Sequence, residues 1–303
     1  MLTRLIDTWL AMRRANGFAL RDSERHLHRF AAFATACGED HIRTATAVAW
    51  AGQAGTPRQR RRHFQRIVPL ARYLHAEDGR HDIPPAGHFP GPRHRPVPHI
   101  YTPDEARRLI AVAARLGPAG SLRPRTMRTV LALLFATGLR ISEALALRTG
   151  DVTPDGLVIR HTKFGKTRLV PLHPSAQDGL AQYLACRRAP AGGTAPVFVS
   201  LTGTRLSYRG FRTAWLIVLE RAGLSARAGG RRPRVHDMRH TFAARALETA
   251  PAQRDRIAQH MLAVSTDLGH SCVADTYWYF QTTPTLMAQV ADACQRHFEG
   301  RRS

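Results

Sequence analysis

The sequence predicts a mainly helical α+β chain with one small antiparallel sheet. Three observations carry this. Apolar residues recur at helical spacing through most of the 303 residues. The period becomes strand-like only at Leu157-Val158-Ile159, at Leu169-Val170 and, as a third candidate, at Val197-Phe198-Val199. Between Arg80 and His99, Pro84, Pro85, Pro90, Pro92, Pro96 and Pro98 interrupt the helical pattern, because proline lacks the backbone donor that a helix or central strand requires. The expected division is a helical domain over 1–80, a proline-rich, semi-rigid linker over 81–99 and a larger domain over 100–303.

In the first domain, Leu5, Ile6, Trp9 and Leu10 mark a helix closed by Asn16-Gly17. A second starts near Asp22-Ser23, carries Leu27, Phe30, Ala31 and Ala34, and stops at Gly38. A third spans about Thr46 to Ala54, and a fourth opens with Thr56 as N-cap and Pro57 in its first turn. The second domain starts at Thr102-Pro103-Asp104-Glu105, an N-cap, first-turn proline and capping-box glutamate. Helices are expected at Pro124 to Thr137, Leu139 to Leu147, Pro174 to Arg188, Tyr208 to Ala222, His236 to Thr249 and Pro251 to Val264. Shorter pieces are expected near Val273 and Pro284, with a last helix from Thr285 to Phe298.

Composition narrows the function. The chain carries 45 basic and 22 acidic residues, a net charge of +23, which points to a polyanion, since basic side chains gain affinity by displacing phosphate counterions. The candidate backbone contacts are Arg58, Arg61, Arg62 and Arg66 on the fourth helix, Arg93 and Arg95 in the linker, and Arg231, Arg232 and Arg234 in a Gly/Arg loop. Only Lys163 and Lys166 are lysines, and lysine, unlike arginine, can surrender a proton. No segment approaches the ~20 apolar residues of a membrane span. The start of the chain lacks a basic-then-apolar leader, so a cytoplasmic protein is expected, nucleoid-associated when bound to DNA. Cys37, Cys186, Cys272 and Cys294 are too scattered for a zinc ribbon or disulfide framework and read as reduced core residues.

Four motifs bear chemistry. In Thr137-Gly138-Leu139-Arg140-Ile141-Ser142-Glu143, Arg140 opens a helix with Glu143 on the same face. His161-Thr162-Lys163-Phe164-Gly165-Lys166-Thr167-Arg168-Leu169-Val170-Pro171-Leu172 is a lysine-tipped hairpin. His236-Asp237-Met238-Arg239-His240-Thr241 puts His236, Arg239 and His240 on one helical face. The two histidines raise a zinc reading, but the glutamate of H-E-x-x-H is missing and Arg239 would repel a cation. Last come Leu268-Gly269-His270-Ser271 and Asp275-Thr276-Tyr277-Trp278-Tyr279-Phe280, where Tyr277 and Tyr279 are both capable nucleophiles.

In this order, T-G-L-R-x-S-E, K…R-L-V-P-L, H-x-x-R-H-T and L-G-H-S resemble the tyrosine recombinases, the phage-integrase family, over about Tyr101 to Phe298. The Tyr277-Trp278-Tyr279 ending is similar to transposon-borne integrases, and Met238 stands where the family more often has leucine. The stretch from Arg239 to His270 is several residues longer than in compact members. The resemblance implies a catalytic fold over 100–303 and a core-binding-like domain over 1–80. It implies a catalytic set of Arg140, Lys163, His236, Arg239, His270 and the nucleophile Tyr279, nine residues after His270, with Glu143 in support. Strands would be cut and rejoined through a 3′-phosphotyrosine without metal, cofactor or ATP. The implied partners are double-stranded DNA, a homo-tetramer on two DNA sites, and an accessory bending protein or second recombinase. A type IB topoisomerase and a non-catalytic DNA-binding protein are the competing readings.

Overall fold

The computed structural model describes residues 1–18, 20–91, 97–160, 167–187, 192–225, 232–249 and 254–269, together with Ala288 and Gln295. It divides into two compact units, Met1–Pro96 and Val97–Ser303. Among the described residues no helix is long and apolar enough to cross a membrane.

The first unit holds α1 (Leu2–Ala15), α2 (Arg21–Ala36), α3 (Thr44–Gly52) and α4 (Pro57–Glu77). Their apolar stripes meet in one core that includes Ile6, Trp9, Phe30, Trp50, Phe64 and Ile67. Each fully buried large apolar side chain contributes about 1.5–3 kcal/mol. The cap at α4 forms as its residues require: the Thr56 hydroxyl accepts from the Gln59 backbone N–H at 3.3 Å, satisfying one orphan donor of the first turn. The chain does not leave this core at residue 80. His81 is buried and accepts the Ile42 N–H at 3.0 Å, while Phe89 meets Phe64 edge-on at 5.3 Å. The start of the expected linker is therefore packed structure, because His81 and Phe89 have partners that the proline count concealed. Arg93 and Arg95 lie outside the described residues.

The second unit begins with α5 (Pro103–Ala113) behind its capping box. It continues through α6 (Arg123–Thr137), α7 (Ile141–Ala146), a 3₁₀ turn at Thr149–Asp151, β1 (Val152–Thr153), β2 (Gly156–Ile159) and β3 (Arg168–Val170). Helices α8 (Pro174–Arg187), α9 (Tyr208–Arg221), α10 (Val235–Glu248) and α11 (Arg254–Leu268) follow. The main core joins α5, α6 and α9 to the sheet through residues such as Leu109, Leu131, Leu157, Val170 and Trp215. A smaller cluster of Ala243, Leu247, Met261, Val264 and Leu268 packs α10 on α11.

The sheet is antiparallel in the order β1-β2-β3, with Val152 opposite Leu157 and Ile159 opposite Arg168. Its third strand is Val152–Thr153, not Val197-Phe198-Val199. The latter segment makes only isolated bridges, because its bonds diverge: Val197 N–H reaches Leu147 O at 2.8 Å while Phe198 O accepts from Leu206 N–H at 3.0 Å. Leu157–Ile159 and Arg168–Val170 pair antiparallel as expected, and Thr153-Pro154-Asp155-Gly156 closes a further hairpin between β1 and β2, a turn of Pro-Asp-Gly chemistry. Helix α11 runs to Leu268 instead of stopping at Val264, so it ends directly before Gly269. Cys37 and Cys186 are exposed, not core residues; Cys37 caps the end of α2, beyond the helix's buried stripe. Cys272, Cys294 and the expected pieces near Val273 and Pro284 lie outside the described residues, as does the Thr285 to Phe298 helix apart from helical Ala288 and Gln295.

Candidate active site

The site is assembled around two helix C-termini. Helix α6 ends at Gly138, in the left-handed region at φ 62°, and the chain turns at once into α7 with Arg140 as its N-cap residue. A side chain is excluded at Gly138 twice over: the φ is costly for L-residues, and a Cβ would lie 2.5 Å from Phe242. Glu143 locks the entry to α7 by accepting from the Arg140 backbone N–H at 3.0 Å and from its Nη1 at 2.8 Å.

Helix α11 ends at Gly269, also left-handed at φ 63°. The last carbonyls of a helix lack intrahelical donors and carry the negative end of its dipole. Here three arginines from three other elements supply the donors. Arg168 Nε donates to Asp267 O at 2.9 Å, Arg239 Nη2 donates to Leu268 O, and Arg140 Nη2 reaches Gly269 O at 3.4 Å. Arg239 Nη1 also donates to Gly138 O at 2.9 Å, so one guanidinium joins the ends of α6 and α11.

These arginines differ in exposure. Arg239 is 2% exposed, whereas the Arg140 side chain is 32% exposed. The Glu143 side chain is only 9% exposed, and this burial pushes its carboxyl up, but hydrogen bonds from Arg168 and the Arg140 backbone prevail and hold it below its usual value. The bonds from Arg168 are paired, at 3.2 Å to one oxygen and 2.9 Å to the other.

His236 lies in the first turn of α10, edge-on to His240 at 4.7 Å. Its imidazole is pushed down to about 4, first by burial and then by the charges of Arg239, Arg234 and Arg140, with Asp237 opposing. The residue as a whole is surface-exposed, so the arginine field is the firmer cause of the shift. Tyr101 hydrogen-bonds Arg234 O at 3.2 Å; its phenol is driven strongly upward by burial, with Asp237 adding to the shift, so it is no nucleophile. Lys163, His270, Tyr277 and Tyr279 lie outside the described residues.

Arg168 was visible in the sequence only as part of the hairpin motif. A usable signal was the strand period: Arg168 and Val170 share a face, and Val170 is buried, so an arginine there needs partners.

The remaining arginines divide by environment. Arg234 pairs with the buried Asp237 at 2.8 Å, and exposed Arg232 bonds Ser225 O at 3.0 Å; Arg231 lies outside the described residues. On α4, Arg58 and Arg62 are exposed, while the Arg61 guanidinium covers Gly91 so closely that a Cβ would not fit. Asp22 on α2 accepts from Arg62 at 2.7 Å and from Arg66, and the Arg66 side chain is only 13% exposed. Arg66 therefore binds α2 to α4 as the structure stands, and its placement favours packing over a free phosphate contact.

Among the described residues, His41, Asp78 and His81 form one group close enough to share a metal ion. The hydrogen bonds oppose that use. His81 Nδ1 accepts the Ile42 N–H, which puts the ring proton on Nε2. His41 contacts Asp40 through Nδ1 and Asp78 through Nε2, and Asp78 is held by Arg80.

The chain is similar to known proteins over most of its length. Residues 100–285 match the phage integrase family. A putative integrase/recombinase, y4rB, of Sinorhizobium fredii is 36% identical over 98% of both chains. The tyrosine recombinase XerD of Mycobacterium tuberculosis is 34% identical over 69% of this chain and 64% of its own. In fold, the chain is similar to the Tn1549 transposon integrase in complex with transposon right-end DNA, with TM-score 0.67 and 16% identity over 96% and 99% of the two chains. It is also similar to a lambda integrase dimer bound to a core site, with TM-score 0.63 and 17% identity over 93% and 96%. With the arginines of T-G-L-R and H-x-x-R meeting at the residues just before His270, the chain belongs to the phage integrase family, the tyrosine recombinases, enzymes that cleave and rejoin DNA.

Proposed function

We propose that this chain is a site-specific integrase of a mobile element that exchanges strands between two duplexes through a covalent phosphotyrosine. The observation that carries the reading is the meeting of Arg140 and Arg239 on consecutive carbonyls, Gly269 and Leu268, the two residues that precede His270 in the sequence. In a chain of net charge +23, that cluster is suited to a phosphodiester whose non-bridging oxygens gain charge in the transition state.

The Tyr279 oxygen attacks the scissile phosphorus, and the phenolic proton passes to His236. That histidine is neutral at pH 7, as an acceptor must be, although the burial and arginine charges that push its imidazole down to about 4 also weaken it as a base. The P–O5′ bond breaks as Lys163 protonates the departing oxygen, leaving a 3′-phosphotyrosine and a free 5′ hydroxyl. Arg140, Arg239 and His270 stabilise the phosphate, and Glu143 orients Arg140. A 5′ hydroxyl from the second duplex then displaces the tyrosine, so the bond energy is conserved and neither ATP nor metal is required. Exchange between two duplexes calls for four protomers, which supports a homo-tetramer on DNA; a bending protein or second recombinase would assist synapsis. The exposed arginines of α4 and of the loop before α10 contact DNA backbone.

The test is covalent trapping on a nicked suicide duplex in excess EDTA. Wild type should form the adduct; Tyr279→Phe should bind but not form it, and Tyr277→Phe should form it. An adduct from Tyr279→Phe but not from Tyr277→Phe reverses the assignment. Relaxation of any supercoiled plasmid without exchange between paired sites would instead identify a topoisomerase.

A further inference from the structure

The Glu143 carboxylate has two arginine partners, and they do different things. Arg140 Nη1 and Arg168 Nη1 bond the same oxygen, Oε1, at 2.8 and 3.2 Å. Arg168 Nη2 takes the other oxygen at 2.9 Å, and its Nε takes Asp267 O. Both the Arg168 and the Glu143 side chains are 9% exposed. All three Arg168 nitrogens are thus engaged inside the protein, so Arg168 is not placed to touch a phosphate. Gly269 lies against it: a Cβ there would be 2.8 Å from Arg168 Nη1.

We propose that Arg168 is a positioning residue for DNA cleavage, keeping Glu143 from capturing Arg140 and fixing the end of α11 ahead of His270. This rests on the recombinase reading above. Planar carboxylate and guanidinium groups pair best through two parallel bonds. Arg168 occupies that two-pronged position on Glu143, which leaves the Arg140 guanidinium a single contact, on Oε1, while the Arg140 backbone N–H holds Oε2. Without Arg168, the Arg140 guanidinium has no competitor on the carboxylate and can turn its own fork onto both oxygens beside the backbone bond, so its charge would be spent on the protein rather than on the scissile phosphate. The bond to Asp267 O makes the same guanidinium a spacer between α7 and α11, so the two errors, a captured Arg140 and a displaced end of α11, are prevented together.

Arg168→Lys is the informative variant, because it keeps a positive charge opposite the buried Glu143 and preserves the fold, yet one ammonium cannot reproduce the fork. Thermal melting confirms that it is folded. Single-turnover adduct formation is then measured on a nicked duplex carrying a site selected by binding, with either an ordinary phosphate or a methylphosphonate at the scissile position. Binding should stay within about threefold of wild type, while cleavage of the phosphate slows by about ten- to a hundredfold, the scale of one lost transition-state contact. A methylphosphonate is uncharged and makes less demand on Arg140, so the gap between variant and wild type should narrow to about threefold. Wild-type cleavage by Arg168→Lys on phosphate, or an equal deficit on both substrates, overturns the positioning role and leaves the recombinase reading intact. Absence of an adduct from the unaltered protein overturns that reading, and this inference with it.

Discussion

Arg239 donates to the carbonyl of Gly138 at 2.9 Å across 101 residues of chain. The bond ties the C-terminus of α6, where the chain turns toward Arg140, to the first turns of α10. A helix C-terminus favours a cation, so the contact stabilises the fold while it places an arginine at the site.

Gly138→Ala should therefore disturb both. The left-handed backbone alone costs an alanine roughly 1–2 kcal/mol, and its Cβ would press on Phe242 at 2.5 Å. We expect the melting temperature to fall by at least about 3 °C for a domain of this size, with slower cleavage. Calorimetry that finds the variant as stable as wild type would contradict the strain argument.

Arg140 and Arg239 should separate under substitution by alanine. Arg140 is one-third exposed, so its loss should slow cleavage by about a hundredfold or more with little change in affinity or melting. Arg239 is buried and bonded to two carbonyls; its loss should slow cleavage and also destabilise the fold by about 2 kcal/mol or more. Denaturant unfolding alongside single-turnover kinetics distinguishes them, and equal stability of the two variants would count against the assignment.

His236 offers a test by pH. In the free protein its imidazole titrates near 4, below the ordinary 6.5, so lowering the pH protonates it later than an ordinary histidine. Removing a positive neighbour favours the imidazolium, so Arg140→Ala should raise the value slightly, with burial, Arg239 and Arg234 still holding it down. NMR titration of the ring protons follows this directly; a downward movement would contradict the arginine contribution. Linkage has the same sign. Between pH 6.5 and 4 the unfolded chain binds the proton and the folded chain does not. This histidine's contribution is thus fully present above 6.5 and lost as pH falls toward 4.

Asp22 holds Arg62 and Arg66, with its carboxyl kept below the usual range chiefly by the Arg66 hydrogen bond against the opposing effect of burial. Asp22→Asn should release basic charge on α4. Affinity for random duplex should rise, and the slope of log K against log salt should steepen by about one. Fluorescence anisotropy across a salt series reads both, and unchanged affinity would remove α4 from the DNA-facing surface.

Lys163 can be tested by its chemistry. Lys163→Arg should bind DNA normally but cleave slowly, because arginine's pKa above about 12 makes it a poor acid. Sulfur in place of the bridging 5′ oxygen leaves without protonation, so that substrate should restore most of the rate. Persistence of the defect would assign Lys163 to charge or positioning.

Much of the fold was readable because its signals are local. Thr56-Pro57, Thr102-Pro103-Asp104-Glu105 and Gly138 each mark a helix end within four residues, and the structure has the ends there. The hairpin turn at Thr153 to Gly156 is equally local, its Pro-Asp pair lying between the paired Thr153 and Gly156. The motifs around Arg140, Arg239 and His270 named the family because their order survives in one dimension. No local pattern could announce that Arg168, Arg239 and Arg140 bond the successive carbonyls of Asp267, Leu268 and Gly269. Those contacts span 29 to 129 residues and exist only once α11 is docked. Nor could composition separate the arginines: Arg62 and Arg66 belong to one basic run, yet Asp22, 40 and 44 residues away, binds both and leaves only Arg66 largely covered. Charge and helix ends are properties of a chain's own neighbourhood, whereas the partner that occupies a guanidinium is chosen by packing.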